Sequence, residues 1–65
     1  MIFKEKFSRW IQTNYLIQIR QIDQRVIIGR LIEYNEENRI ILVYHEDEKQ
    51  VYSIKLGEIY EIKPT

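Results

Sequence analysis

Residues 26–43, VIIGRLIEYNEENRIILV, decide how this chain folds. Two runs rich in β-branched residues are joined by the polar tetrad Asn35-Glu36-Glu37-Asn38, and a single glycine, Gly29, sits inside the first run. Apolar runs of this length bounded by turn residues read as buried strands. A glycine within such a strand marks a sharp bend or the close approach of another backbone. In the first run Val26, Ile28, Ile32 and Tyr34 share one parity and Ile27, Gly29 and Leu31 the other, so both sides are largely apolar. The second run, residues 39–45, repeats this with Ile40, Leu42 and Tyr44 against Ile41 and Val43. A hairpin apolar on both faces cannot lie flat with one side in water, so the remaining chain or other subunits must wrap it.

Working outward, residues 15–22 alternate, with Tyr15, Ile17 and Ile19 opposite Leu16, Gln18 and Arg20, the pattern of a half-buried strand. Asp23-Gln24 is short enough for a hairpin into a strand over residues 25–34. Further upstream, Phe3, Phe7, Trp10 and Ile11 form a helical stripe among polar residues, which predicts a helix over residues 1–13. Thr13-Asn14 closes it, because asparagine tolerates the left-handed conformation common just past a helix end. The aromatic face is expected to lie across the sheet as a lid; a helix on a membrane surface is the alternative for a segment this basic and aromatic.

Downstream, Glu46-Asp47-Glu48-Lys49 is a solvated loop, residues 50–56 alternate again, and after Gly57-Glu58 a last strand runs over residues 59–62 until Pro64 stops it. One helix and five short strands with turn signals about every 8 to 12 residues predict a mainly β chain, a strongly bent five-stranded antiparallel barrel in a single domain over residues 1–65.

A domain of 65 residues buries only about 60% of its unfolded-chain surface. Cysteine is absent and His45 is the only histidine, so neither a disulfide framework nor a zinc set supplies the missing stability, and oligomerisation is the ordinary remaining solution. Ten basic and ten acidic residues cancel, which removes any whole-molecule attraction to polyanions or anionic membranes. No run approaches the roughly 20 apolar residues of a membrane span, and the N-terminal residues lack the apolar stretch of a secretory signal. The expectation is a soluble, cytoplasmic protein with no membrane partner.

The helix followed by five strands, the second bent at a glycine, resembles the Sm and Sm-like (Lsm, Hfq-type) family over nearly the whole chain. The best part is residues 17–34, IQIRQIDQRVIIGRLIEY, similar to the family's first two strands with the glycine in place and an aromatic five residues on. Asn35 stands where the family usually has an aspartate, and Asn38 or Arg39 lies near the asparagine of the same loop. Ser53-Ile54-Lys55-Leu56-Gly57 is loosely similar to the segment carrying the Arg-Gly of Sm proteins, while the Tyr-Lys-His triplet of the Hfq type is not reproduced after Tyr52. The resemblance implies a homo-oligomeric ring of about five to seven subunits, strand four of one joined to strand five of the next, which would cover exposed strand edges. A looser resemblance, carried by Gly29, Leu31, Tyr34, Ile54, Leu56, Ile59 and Ile62, is to the C-terminal part of YolD-like proteins of Gram-positive bacteria and their phages, and implies a protein-inhibitory role.

Catalysis has little to stand on: there is no nucleophile elbow, P-loop or dinucleotide fingerprint, and His45 beside Glu46, Asp47 and Glu48 reads as a solvated strand end rather than a general base. Those carboxylates lack the glycine and ligand alternation of a calcium loop, so neither metal nor cofactor is expected. Nucleotides and single-stranded RNA are held by stacking planes, amides that read base edges and cations at phosphates. Tyr34, Asn35, Asn38 and Arg39 offer those groups within one turn, and the Sm-like arrangement would bring Lys55 and Gly57 beside them. The plain alternative is that Tyr34 is core, the asparagines only make a turn, and Arg39 pairs with Glu36 or Glu37. Arg30, alone among apolar neighbours, suggests an exposed edge or an ion pair across an interface. The reading is a non-enzymatic, ring-forming binder of single-stranded RNA or a nucleotide-type ligand. The alternative is a protein-binding inhibitor or adaptor, phage-encoded in one version, which includes sequestration of a host signalling nucleotide.

Overall fold

The computed structural model describes residues 2–65, with side chains from Lys4 onward; Met1 and the Phe3 side chain, both assigned above to the helix, lie outside the described residues. Helix α1 (Ile2–Thr13) is followed by β1 (Leu16–Gln21), β2 (Val26–Asn35), β3 (Ile40–His45), β4 (Gln50–Lys55), a 3-10 turn at Leu56–Glu58, and β5 (Ile59–Pro64). The strands form one antiparallel sheet in the order β4-β3-β2-β1-β5, so the expected mainly β architecture is what the chain adopts.

Phe7 and Trp10, one helical turn apart, are 1% and 5% exposed, while Lys4, Glu5, Lys6, Ser8 and Arg9 face solvent. Their rings meet at 5.7 Å, and Phe7 stands edge-on to Tyr34 of β2 at 4.9 Å. Phe7 and Trp10 are therefore used up inside the core, and α1 is the lid. At its end the Thr13 hydroxyl donates to the Arg9 carbonyl, and Asn14 takes the left-handed conformation at φ 55°.

Inward-facing Ile17, Ile19, Leu31, Ile41, Val43 and Ile54 complete the core with the two aromatics. Tyr15 differs from the expected parity. It precedes β1, is 48% exposed, and donates its backbone N–H to the Trp10 carbonyl at the helix-to-strand junction. Two bulges reset parity elsewhere. Across β2 and β3, Leu31 pairs with Val43 and Glu33 with Leu42, so Ile32 is the extra residue; the slip exposes Ile32 and turns Tyr34 inward onto Phe7. Across β1 and β5, Arg20 pairs with Glu61 and Gln21 with Ile59, which leaves Tyr60 unpaired and 71% exposed. Pro64 does not stop β5 but is its last residue, opposite Ile17. Proline is tolerated there because β5 is an edge strand.

Arg30 makes its contacts within the chain, not across an edge. Its Nε donates to the Glu46 carboxylate and its Nη1 to the Asn14 carbonyl, tying the end of α1 and the β3–β4 loop to β2. At the β1–β2 turn, Asp23 accepts the backbone N–H of Arg25 at 3.1 Å and its Nε at 2.7 Å. That backbone bond first, and the guanidinium second, hold the Asp23 carboxyl below its ordinary value.

Among the described residues β4 and β5 are each paired on one side only, so the wall is open between them. The outer surface also keeps Val26, Ile28 and Val51 about half exposed.

Candidate functional site

Three strands bring the candidate residues together. Asn35 is opposite Ile40 in the β2–β3 ladder and Ile40 is opposite Lys55 in the β3–β4 ladder, so Asn35 and Lys55 flank one row across the sheet. Between β2 and β3 the chain turns on Asn35, whose Oδ1 accepts the backbone N–H of Asn38, three residues on, at 3.0 Å and so closes the turn from its side chain. Arg39 closes that turn in the left-handed conformation at φ 56°. Its carbonyl accepts the Leu56 N–H at 2.9 Å, which lashes the turn to the segment just past β4.

Asn38, Arg39, Lys55 and Gly57 are exposed and Asn35 is half-buried. A Cβ at Gly57 would meet nothing within 4 Å, so the backbone there is open to approach from outside. The neighbouring turn acid Glu36 pairs with Lys4 of α1 at 3.4 Å. Among the described residues neither Arg39 nor Lys55 holds an ion pair, so the pairing of Arg39 with Glu36 or Glu37 considered above is not made. One guanidinium, one ammonium and two amides thus stand along one rim. Tyr34 is the exception: its ring is half-buried against Phe7, so this chain's own aromatic is committed to the core.

His45 is likewise occupied. Its Nδ1 accepts the Glu48 N–H at 3.2 Å, and its ring meets Tyr52 edge-on at 6.0 Å. The Tyr52 hydroxyl donates to the Glu48 carboxylate, and that bond pushes the phenol above its ordinary value. The imidazole caps a tight turn. Among the described residues no group of three or more His, Cys, Asp or Glu side chains could hold a metal ion, and no helix is long and apolar enough to cross a membrane.

Sequence pattern overlooked Tyr60. It overhangs a groove of about 300 Å³ that it lines with Arg20, Gln21, Ile22 and Gln24. A signal existed: Ile59 and Ile62 both pack on the core although three residues apart, a spacing a strand of period two accommodates only with a bulge between them.

No protein-family model matches the chain, and no curated protein matches it in sequence. Solved structures do match its shape. An Hfq protein from Anabaena sp. superposes with a TM-score of 0.84 at 12% identity, covering 98% of this chain and 97% of that one. A structure described as the pleiotropic translational regulator Hfq gives 0.86 at 10% identity, covering 97% and 98%. The chain has the Sm-like, Hfq-type fold, from the helix to the last strand.

Proposed function

We propose that this protein is a non-enzymatic, ring-forming Sm-like binder of single-stranded RNA or nucleotide-type ligands, working in the cytoplasm, with one site per subunit built from Asn35, Asn38, Arg39, Lys55 and Gly57. The observation that carries this reading is the Arg39 carbonyl to Leu56 amide bond, which sets two unpaired cations and two amides on one rim beside an open glycine backbone. Cations meet phosphates and amides meet base edges. The likeness to Hfq, described as a translational regulator, supports a nucleic-acid ligand.

The ring is supported by the two half-paired edges. β4 ends at Lys55 and Glu58 immediately precedes β5, so these two ends of the open edges are complementary in charge. Because the edges differ, the contact is head to tail, and such contacts close into rings when the rotation allows. Repetition of a modest site around a ring raises the apparent affinity without new contacts.

Light scattering at micromolar concentration tests assembly, with about five to seven subunits expected; a monomer removes the ring. Titration with oligo(U), oligo(A) and cyclic dinucleotides at two salt concentrations tests the ligand. The half-exposed aliphatics Val26, Ile28 and Val51 favour the second reading, a protein-binding inhibitor or adaptor, which silence toward every nucleotide would support.

A further inference from the structure

The β2–β3 and β3–β4 turns are built on one plan. Asn35, the last residue of β2, stands opposite Ile40, the first of β3; His45, the last residue of β3, stands opposite Gln50, the first of β4. In each turn the side chain of that last residue accepts the backbone N–H three residues on, that of Asn38 at 3.0 Å and that of Glu48 at 3.2 Å. In each the following residue, Arg39 or Lys49, takes the left-handed conformation, at φ 56° and 55°. The turns differ in the chemistry of the acceptor. An amide oxygen accepts at any ordinary pH, whereas an imidazole nitrogen accepts only while it carries no proton. The bond to Glu48 therefore requires neutral His45 with its proton on Nε2. With no cysteine and one histidine in the chain, His45 is the only side chain of a type that ordinarily changes charge between about pH 5 and 8.

From this we infer that the β3–β4 turn is a pH-sensitive latch: a proton bound at Nδ1 of His45 breaks the bond to the Glu48 N–H and loosens β4, the edge strand the turn leads into. Nδ1–H and the Glu48 N–H are then two donors face to face, and one must turn away. The charged and titratable groups around the imidazole are the carboxylates of Glu46, Asp47 and Glu48 and the ammonium of Lys49 in the turn, the Tyr52 phenol of β4, whose ring meets it edge-on, and the Arg30 guanidinium of β2, which holds Glu46. Carboxyl and phenol groups ordinarily titrate at about pH 4 and 10, on either side of the imidazole window. Tyr52 keeps its bond to Glu48 and becomes the remaining side-chain tie between the turn and β4. Because β4 is paired on one side only, its first residues fray once the turn opens. The latch stands on the turn geometry; its effect on assembly rests on the ring proposed above, in which β4 joins the next copy, so that acid favours separated subunits.

The test measures amide hydrogen exchange of the whole chain at pH 7.5 and 5.5, corrected for the intrinsic rate at each pH. Protection of the Glu48 amide and of β4 is expected to fall about three- to tenfold in acid, the scale of one lost hydrogen bond. The Asn38 amide, closed by Asn35, is the internal control and should hold. His45→Asn supplies the acceptor already used in the other turn and should keep Glu48 and β4 protected at both pH values. His45→Leu, with no acceptor, should show the acid behaviour at both.

Wild-type protection of Glu48 and β4 that is the same at both pH values overturns the latch, and so does an acid loss that persists undiminished in His45→Asn. These two outcomes do not depend on the leucine variant folding. Light scattering over a dilution series reads the ring: the midpoint concentration of assembly should rise at least about threefold in acid for wild type and stay within about twofold for His45→Asn. A chain that is monomeric at pH 7.5 overturns the ring alone, since exchange still decides the latch. An assembly midpoint indifferent to pH while β4 loosens overturns the coupling of the latch to assembly.

Discussion

Gly29 of β2 lies against the backbone of Tyr44 on β3, so close that a Cβ built on it would stand 2.9 Å from Val43 Cγ1 and 3.1 Å from the Tyr44 carbonyl carbon, with the carbonyl oxygen nearer still. No glycine in the chain has a positive φ, so the requirement is for space and not for a special dihedral. Gly29→Ala must push two backbones apart in the middle of the sheet. A loss of about 1–3 kcal/mol is expected from such overpacking. The shift of the urea midpoint at constant slope measures it, and an unchanged midpoint would show that the strands separate freely.

Arg39 and Lys55 carry charge at the rim and, among the described residues, hold no ion pair. Arg39→Ala with Lys55→Ala should weaken nucleotide binding at least about tenfold and flatten its salt dependence. The stability read from the urea midpoint should change by no more than about 0.5 kcal/mol, as for exposed substitutions. Loss of binding accompanied by unfolding would count against a role in the ligand site.

Phe7 joins the lid to the sheet through Trp10 on one side and Tyr34 on the other. Truncating a fully buried phenylalanine costs about 3–5 kcal/mol. In a domain of this size that approaches the whole stability, so Phe7→Ala should be largely unfolded by circular dichroism at room temperature, while Phe7→Leu should remain folded.

The Arg30 to Glu46 pair is 40% and 50% exposed at its side chains, and solvent screens it accordingly. A double-mutant cycle of Arg30→Met and Glu46→Gln should give a coupling of about 0.2–1 kcal/mol, decreasing with added salt. The larger effect of Arg30→Met should be local. Faster hydrogen exchange is expected at the end of α1 and in the β3–β4 loop, the two segments this side chain connects.

Two titrations run in opposite directions. Tyr52 is raised above 10.0 by its bond to Glu48, so the contact is fully present below the unfolded value and is lost as pH climbs through the higher folded one. Asp23 is lowered below 3.8 by the Arg25 backbone and side chain, so its contribution is present above that value and fades as pH falls through the lower folded one. Absorbance titration should find a phenol ionising above the ordinary tyrosine value, absent in Tyr52→Phe. The Arg25 amide resonance should move in acid and cease to do so in Asp23→Asn.

Much of this architecture is legible in residue order because its elements are short and bounded by polar turns. The helical stripe of Phe7 and Trp10, the alternation through Ile17 and Ile19, and the left-handed stop at Asn14 each follow from local pattern. So does Gly29, whose crowding by β3 is the close backbone approach that a glycine within a strand signals. The turn at Asn35 and Asn38 and the nearness of Lys55 and Gly57 follow from the strand order of an Sm-like chain. What pattern cannot carry is parity across a bulge. Ile32 and Tyr60 each insert one residue into a ladder, and every assignment beyond them inverts, which sends Tyr34 into the core and Tyr60 into solvent. Arg30 was ambiguous for another reason: its partners, Asn14 and Glu46, are each 16 residues away, and only the folded sheet makes them neighbours.

The opening between β4 and β5 has a thermodynamic corollary. Under the self-association proposed above, the native state gains free energy by mass action, so the melting temperature climbs with protein concentration and dilution alone loosens the fold. Abundance then acts as a control parameter: scarce chains remain frail and open to proteolysis, and plentiful ones lock.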